Sequence, residues 1–369
     1  MQKMLMMIMA AGAVLGGMDR LMNNRFGLGR KFEEGFMLLG PMALSMAGIV
    51  CLTPLLSGLL GKWIAPVYRC LHLDPAMFAG ILAIDMGGYP MAMGLADDPA
   101  LGRFAGIIVG AIFGCTVSFT IPVGMGMLGG EERSSFIQGT LYGLIAMPAA
   151  LILGGVLCGL GVWNTIWQLL PVLILSGVLL WGIRVRPVGT VRAFRLFARG
   201  LEGLITVGLI LGAVQYMTGW VILPGLMPIE EAMESVAAIG IVLLGSLPAA
   251  ELLKRILRRP LEWMGGRLGV NAVSMAGFLL GAVSLMPMLA LMKDMDRRGR
   301  VANAAAAVCS AAALAAHLGY TVSQEPDMLA PMLLAKAAGG LLGAAIALLA
   351  TREKGSAGED APAEASVEE

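Results

Sequence analysis

The chain alternates long apolar stretches with short polar connections from its start to about residue 350. A transmembrane helix needs about 20 consecutive apolar residues. Eleven stretches approach or exceed that length, with approximate bounds 3–18, 36–60, 75–95, 101–126, 135–160, 164–183, 201–226, 235–253, 270–292, 301–320 and 330–350. This pattern predicts an all-α polytopic membrane protein with about 9 to 11 membrane segments.

Composition supports the same class. Of 369 residues, 58% are hydrophobic and 14% are charged, whereas soluble domains carry about 25% charged residues. The net charge of +1 gives no reason to expect a nucleic-acid partner. The five cysteines form no CxxC pair, so we interpret them as small buried hydrophobes. Residues 1–15 lack a convincing small-x-small cleavage site and are interpreted as a retained span.

Two parts of the chain repeat each other. When the chain is shifted by 197 residues without gaps, residues 79–105 align with 276–302. Eight aligned positions are identical: Ala79/Ala276, Gly80/Gly277, Leu82/Leu279, Pro90/Pro287, Met91/Met288, Asp97/Asp294, Arg103/Arg300 and Ala105/Ala302. Matches of Ala, Leu and Gly are common in this composition, but the Pro, Asp and Arg matches in one register are not. We therefore predict a duplicated transmembrane unit.

The charges of the loops predict the orientation of the segments. The linker 184–199 carries five arginines and no acidic residue, so the positive-inside rule places it in the cytoplasm. The loop 227–234 carries three glutamates and no base, which favours the outside. The loops on both sides of segment 270–292 are basic, so both ends of that segment are expected in the cytoplasm.

A segment with both ends on one side is a re-entrant hairpin, and Gly281 and Pro287 interrupt segment 270–292 where a turn is needed. If the aligned segment 75–95 is also re-entrant, nine full spans remain, and the two repeats have opposite orientation. Inverted repeats with broken helices at matching places are typical of secondary transporters. The alternative is eleven ordinary spans with one loop that breaks the charge rule.

The predicted organisation has four parts. Residues 1–183 form the first transmembrane repeat with a connecting span, and 184–199 form a basic cytoplasmic linker. Residues 200–351 form the second repeat. Residues 352–369 form an acidic tail that is expected to be disordered.

Asp85 lies inside the first interrupted segment and is the leading candidate for a binding residue. An ionised Asp at membrane depth costs about 2.5–3.5 kcal/mol or more, so it requires a compensating cation or a polar cavity. Gly87 and Gly88 favour a break that exposes main-chain groups to a ligand. Tyr89 adds an aromatic ring. A carboxylate beside an aromatic ring suits a small organic ammonium ion.

The second interrupted segment has no acidic residue at the matching place. The aligned counterpart of Asp85 is Ala282, and that of Gly87 is Ser284. A single anionic centre matches a monovalent cation, and Ser284 with main-chain groups is assigned to a neutral end such as a hydroxyl. The structural alternative is that Asp85 pairs with an internal base such as Lys336, which is otherwise expected to snorkel to a membrane interface.

Other polar residues lie within the apolar stretches. Gln215 and Asn303 are included among the candidate substrate ligands. Ser118 and Thr120 are expected to bond the main chain of their own helix. His317, near the end of its stretch, is expected to be a packed or interfacial residue.

Sequence motifs of enzymes are missing: the chain contains no HExxH, GxSxG, P-loop or CxxCH. We therefore expect a protein that is not an enzyme and that holds neither a cofactor nor a metal ion. Without a nucleotide-binding segment, transport must be passive or driven by an ion gradient.

Four strings resemble a known family: Arg25-Phe-Gly-Leu-Gly-Arg-Lys-Phe-Glu-Glu-Gly-Phe36, Leu39-Gly-Pro-Met-Ala-Leu44, Phe78-Ala-Gly-Ile-Leu-Ala-Ile-Asp-Met-Gly-Gly-Tyr89 and Ser118-Phe-Thr-Ile-Pro122. They are similar to the ethanolamine permease of bacterial ethanolamine-utilisation operons. The similarity is strongest over roughly residues 20–125, and the layout of spans continues it to about residue 350. The resemblance implies a protein that admits ethanolamine for degradation inside a microcompartment.

Residues and resemblance together predict a multi-pass permease of the bacterial inner (plasma) membrane, embedded in the lipid bilayer, that imports ethanolamine as the ammonium ion. Two alternatives stay open. The same machinery could carry another small amine, an amino acid or a cation, or the protein could be a non-transporting membrane scaffold or sensor. Glycine-rich helix faces also leave a homo-oligomer open.

Overall fold

The computed structural model describes residues 2–82 and 88–352, and these ranges are helical apart from short connections. The helices are, in chain order, α1 (Gln2–Leu21), α2 (Leu28–Met37), α3 (Leu39–Cys70), α4 (Ala76–Ile81), α5 (Gly88–Leu95), α6 (Pro99–Met127), α7 (Gly130–Leu157), α8 (Val162–Gln168), α9 (Leu170–Val185), α10 (Pro187–Thr218), α11 (Ile229–Leu268), α12 (Ala272–Val283), α13 (Leu285–Leu291), α14 (Arg297–Ser310), α15 (Ala316–Gln324) and α16 (Leu329–Ala350). The predicted all-α class is confirmed.

Within the described ranges, six helical stretches are long and apolar enough to cross a membrane. The helix pair α8–α9, which is bent by 56°, would be a seventh span. The six are Leu28–Cys70, Pro99–Met127, Gly130–Leu157, Leu196–Thr218, Ile229–Leu257 and Pro326–Ala350. Each of the eleven predicted segments coincides with one helix or with two consecutive short ones. The polytopic membrane class is therefore confirmed, and broken segments account for much of the difference in the number of continuous spans.

The first interrupted segment, α4–α5, folds back on itself. Asp74, just before α4, accepts hydrogen bonds from the main-chain N–H groups of Asp97 (3.2 Å) and Asp98 (2.9 Å), which follow α5. The start and the end of the segment are therefore tied together at one end of the molecule, as expected for a re-entrant hairpin.

The second interrupted segment, α12–α13, is tied in the same way. Asn271, the aligned counterpart of Asp74, donates its side-chain amide to the carbonyl oxygen of Asp294 at 2.9 Å. Its main-chain N–H donates to the Asp296 carboxylate at 2.8 Å. Burial alone would raise the pKa of Asp296, but hydrogen bonds from Asn271, Ser274 and Gly299 hold it below its usual value. The Asp296 carboxylate that joins the two ends of the hairpin is therefore ionised at neutral pH.

Two helix crossings also occupy matching places in the two halves. Gly48 of α3 lies against Ile205 of α10 so closely that a Cβ at Gly48 would overlap the Ile205 carbonyl oxygen. Gly245 of α11, aligned with Gly48, meets Met9 of α1 in the same manner. Only glycine allows two helix backbones to approach so closely. The matched crossings support the predicted duplication, and the opposite orientation of the two repeats in a membrane stays a prediction.

The helices α7, α14 and α16 form a second close-packed group. The carbonyl oxygen of Ala305 in α14 contacts the Cβ positions of both Gly143 in α7 and Gly343 in α16. Small residues at all three helices let the backbones approach in the absence of a hydrophobic driving force. Within this group, α14 packs against α12 of the second hairpin, and α6 packs against both arms of the first.

The predicted span 301–320 differs from the structure, because it is not one continuous helix. Residues 311–315 are unwound between α14 and α15, and Ala312 adopts a φ of +55°. The N–H groups of Ala312 and Leu314 donate to carbonyl oxygens at the end of α12, at 3.1 and 2.8 Å. An interruption at membrane depth requires such partners, since lipid offers none.

The predicted division of the chain into four parts stays a prediction, and the structure adds one observation about the linker. Residues 187–199 of the predicted basic linker are helical and form the first part of α10. Of the predicted acidic tail, residues 353–369 lie outside the described residues.

We expect Gly48→Ala to lower the thermal stability of the detergent-solubilised protein, because the added methyl group overlaps the main chain of α10. Overpacking of this kind costs about 1–3 kcal/mol. Gly58→Ala in the same helix is the matched control, since nothing lies within 4 Å of its Cβ position, and it should be neutral or stabilising by up to about 1 kcal/mol. Equal losses in the two variants would contradict a tight crossing at Gly48.

Candidate functional site

The two arms of the first hairpin lie against the same part of α6. A Cβ at Gly80 of α4 would lie 2.9 Å from Val109, and one at Gly106 of α6 would lie 2.7 Å from the Cα of Tyr89 in α5. Two of the predicted site residues between these arms, Asp85 and Gly87, lie outside the described residues. Gly88 is described and is buried at the start of α5.

The part of α6 that receives the hairpin is wound unusually. Phe104–Gly114 and Thr116–Thr120 are π-helical, with wider turns than an α-helix, and every residue of Phe104–Gly114 is buried. Short π-helical turns are rare and occur often at functional sites. This winding displaces main-chain groups from the positions that an α-helix would give them.

One of these main-chain groups binds an ammonium group. The Nζ atom of Lys336 in α16 donates to the carbonyl oxygen of Ala111 at 2.6 Å, and Lys336 is only 1% exposed. The prediction that Lys336 snorkels to an interface is therefore wrong. A buried ionisable residue inside a membrane bundle is expensive and usually functional, and Lys336 contacts the stretch of α6 that follows the hairpin contacts.

Tyr89 contacts a carboxylate that is far away in sequence. Its hydroxyl donates to Oε1 of Glu325 at 2.6 Å, and Glu325 lies between α15 and α16. The Tyr89 ring meets the ring of Tyr320 edge-on, with centroids 6.4 Å apart and planes at 81°. Nη1 of Arg103 lies 3.9 Å from Oε2 of Glu325. The result is a carboxylate bonded to one tyrosine, whose ring packs against a second. The sequence analysis did not identify Glu325, Tyr320 or Arg103 as members of a site.

Ser284 lies on the second hairpin, at the break between α12 and α13. Its backbone is extended, with φ −156° and ψ 133°. Ser284 and Leu314 of the unwound segment line a cavity of about 80 Å³. Charged side chains of α2 and α11 also line this cavity: Lys31, Glu34, Glu251 and Lys254. The cavity therefore joins a charged surface to irregular main chain, as substrate sites of transporters do.

Asn303 holds two helices together. Its Nδ2 donates to the carbonyl oxygens of Ser274 (2.8 Å) and Gly299 (2.9 Å), which connects α14 to α12. Its Oδ1 is buried and accepts no hydrogen bond within the part of the chain that the structure describes. Oε1 of Gln215 in α10 is likewise buried and accepts no hydrogen bond from a described residue. Both amides therefore have an acceptor that no described residue uses.

The predicted site residues are thus distributed over more than one place. Among the described residues, no hydrogen bond joins Tyr89, Ser284, Gln215 and Asn303 to one another. Tyr89 belongs to the Glu325 cluster, Ser284 belongs to the cavity at α2 and α11, and Asn303 belongs to the contact between α12 and α14.

Comparison with known proteins identifies the family. A family model described as "Ethanolamine utilisation protein, EutH" matches residues 1–350. The chain belongs to this family. The predicted resemblance is confirmed, and the match covers nearly all of both halves. No solved structure matches the chain.

Relatives in the EutH family come from several bacteria. The "Probable ethanolamine permease EutH" of Listeria monocytogenes is 38% identical over 342 residues, which is 92% of each chain. A Salmonella typhimurium protein of the same name is 36% identical over 348 residues, covering 88% of this chain and 85% of the relative. The "Uncharacterized protein YxeR" of Bacillus subtilis is 37% identical over 341 residues, which is 92% of each chain.

We expect Asn303→Ala to lower the free energy of unfolding by about 1–3 kcal/mol, because two buried carbonyl oxygens lose their donor. Thermal unfolding of the purified protein measures this effect. Ser310→Ala in the same helix is the control, since that hydroxyl donates only to Ala306 of its own helix, a bond that adds little. An Asn303→Ala protein as stable as Ser310→Ala would contradict the structural role of the amide.

Proposed function

We propose that this protein is a permease that imports ethanolamine, as the ammonium ion, across the inner (plasma) membrane of a bacterium. The observation that carries the proposal is a pair of broken hairpins in a multi-pass helical protein of the EutH family. Relatives of similar length in that family are named probable ethanolamine permeases. Helices interrupted at matching places are the usual material of substrate sites in secondary transporters.

The ammonium group is assigned to the first hairpin. A primary amine such as that of lysine has a pKa of about 10.4, so the substrate is cationic at neutral pH. We assign its charge to the carboxylate of Asp85, its apolar carbons to the ring of Tyr89, and further hydrogen bonds to the main chain at Gly87 and Gly88.

Lys336 supports this assignment through its chemistry. The side chain ends in a primary ammonium group, as protonated ethanolamine does, and it is held by the Ala111 carbonyl oxygen at 2.6 Å. The π-helical part of α6 therefore offers main-chain oxygens to a primary ammonium at the depth of the hairpin contacts.

The hydroxyl group is assigned to the second hairpin. Ser284 lies beside irregular main chain in a cavity that reaches charged residues of α2 and α11. The unused oxygens of Gln215 and Asn303 provide further acceptors for a polar substrate during its passage. In the proposed mechanism, α1, α3, α10 and α11 form one unit, and the hairpins with α6, α7, α14 and α16 form the other, and motion between them exposes the site alternately.

We expect the wild-type protein to stimulate uptake of labelled ethanolamine in bacterial cells that lack their own permease. The assay uses acidic external pH and low substrate, because the neutral amine crosses lipid unaided. Asp85→Asn should reduce uptake to the background of empty cells, because the ammonium loses its counter-charge. Asp294→Asn, at an exposed position, is the control and should retain uptake at matched expression.

Two results would change the proposal. Absence of uptake by a folded, well-expressed wild type would refute ethanolamine as substrate. Uptake that persists in Asp85→Asn would limit Asp85 to a structural role. Competition by unlabelled amines, amino acids and inorganic cations separates ethanolamine from other cargo.

We expect Ser284→Ala to raise the half-saturating ethanolamine concentration about 3- to 10-fold, which is the effect of one lost hydrogen bond. Inhibition of uptake by ethylamine, which lacks the hydroxyl, should be unchanged in the variant. Initial rates at several concentrations of both amines measure the two effects. If both amines weakened equally, Ser284 would not be the group that contacts the hydroxyl.

A further inference from the structure

The cluster of Tyr89, Tyr320, Glu325 and Arg103 has unused binding capacity. Oε1 of Glu325 accepts the hydrogen bond of Tyr89. Oε2 receives no hydrogen bond from the described residues, because Arg103 approaches it only to 3.9 Å, beyond hydrogen-bond reach. The Glu325 side chain is 21% exposed. One carboxylate oxygen is therefore available to a donor from outside.

The surroundings of that oxygen suit an ammonium ion. The hydroxyl of Tyr89 contacts the carboxylate, and the Tyr89 ring stands almost perpendicular to the ring of Tyr320. A cation next to a ring face and a carboxylate gains from both contacts when water is partly excluded. Neutral or anionic solutes gain neither contact.

Few contacts hold the Arg103 side chain in its observed position. Within the described part of the chain it makes no hydrogen bond, and its side chain is 39% exposed. An exposed ion pair of this length contributes little to stability. Arg103 also lines a cavity of about 160 Å³ together with Asp327 and Cys158. Arg103 therefore lies between that cavity and Glu325, and its departure costs little.

The aligned place in the second half shows what is special about this cluster. Arg300, the counterpart of Arg103, approaches Glu131 and Glu132 at 3.4 Å each, and its side chain is only 13% exposed. The counterparts of Tyr89 and Tyr320 are Met286 and Val123. Both halves therefore have an arginine beside carboxylates, whereas neither tyrosine has an aromatic counterpart at the aligned position. The rings are therefore not required by the duplicated frame.

We propose that Glu325, Tyr89 and Tyr320 form an access subsite for a primary ammonium ion, closed by Arg103 in this structure and opened when the ammonium takes its place beside Oε2. This inference rests on the proposed function. Tyr89 belongs to the hairpin that carries Asp85 four residues earlier, so the subsite and the proposed central site share one hairpin. No bond is made or broken, and the step exchanges one cation for another.

The test measures binding of ethylammonium and ethanolammonium to the purified full chain in lipid nanodiscs by titration calorimetry. Glu325→Gln should raise Kd about 10-fold or more, the effect of losing a charge-assisted hydrogen bond. Arg103→Gln should lower Kd about 3-fold or more, because it removes the competing cation. If the cluster were only a structural clamp, both variants would weaken binding or leave it unchanged, and that result would overturn the subsite.

The control variant is Glu234→Gln, which should leave Kd unchanged. Glu234 is exposed at the same end of the molecule, since the Gln324 side chain next to Glu325 donates to Ser235 at 3.2 Å. Thermal unfolding of each variant monitors folding, and if Glu325→Gln does not fold, the direction of the Arg103→Gln effect decides. Binding by a wild type that does not transport ethanolamine would refute the proposed function alone. Transport with unaltered Kd in both variants would refute the subsite alone.

Discussion

Inside a bilayer every main-chain N–H and C=O group needs a partner from the protein, because the surrounding hydrocarbon offers none. This constraint governs each irregular part of the fold. The unwound residues 311–315 are tolerated because Ala312 and Leu314 bond the end of α12. The ends of the two hairpins are closed by Asp74 in one half and by Asn271 in the other. At each of these described places, a second element satisfies the irregular backbone.

The same constraint makes these places suitable for binding. In an interrupted or widened helix, some main-chain carbonyl groups do not form the regular hydrogen bonds of the helix. Such carbonyl groups can accept a hydrogen bond from a ligand. Lys336 on Ala111 is an example within the protein itself. In the proposed mechanism the substrate ammonium uses the same chemistry, so the features that allow the helix to break also provide its ligands.

The frame of the molecule is matched between the two halves, whereas the chemistry is not. Gly48 and Gly245 make equivalent crossings, and each hairpin is tied at its ends. Tyr89 and Tyr320 have apolar counterparts, and Asp85 aligns with Ala282. The matched crossings and ties support the predicted duplication, whereas Asp85 and Tyr89 have no equivalent at the matching positions of the second half.

The sequence by itself determined the membrane class, the interrupted segments and the family, because hydropathy, Gly/Pro breaks and characteristic strings of residues are local properties of the chain. It did not reveal the break after α14, since residues 302–316 contain neither glycine nor proline, and the break is stabilised by distant carbonyl groups of α12. Nor did it reveal the burial of Lys336 or the contact of Tyr89 with Glu325, which lies 236 positions away. These features were decided by tertiary structure, because a buried charge and an unwound helix depend on partners that only packing brings together.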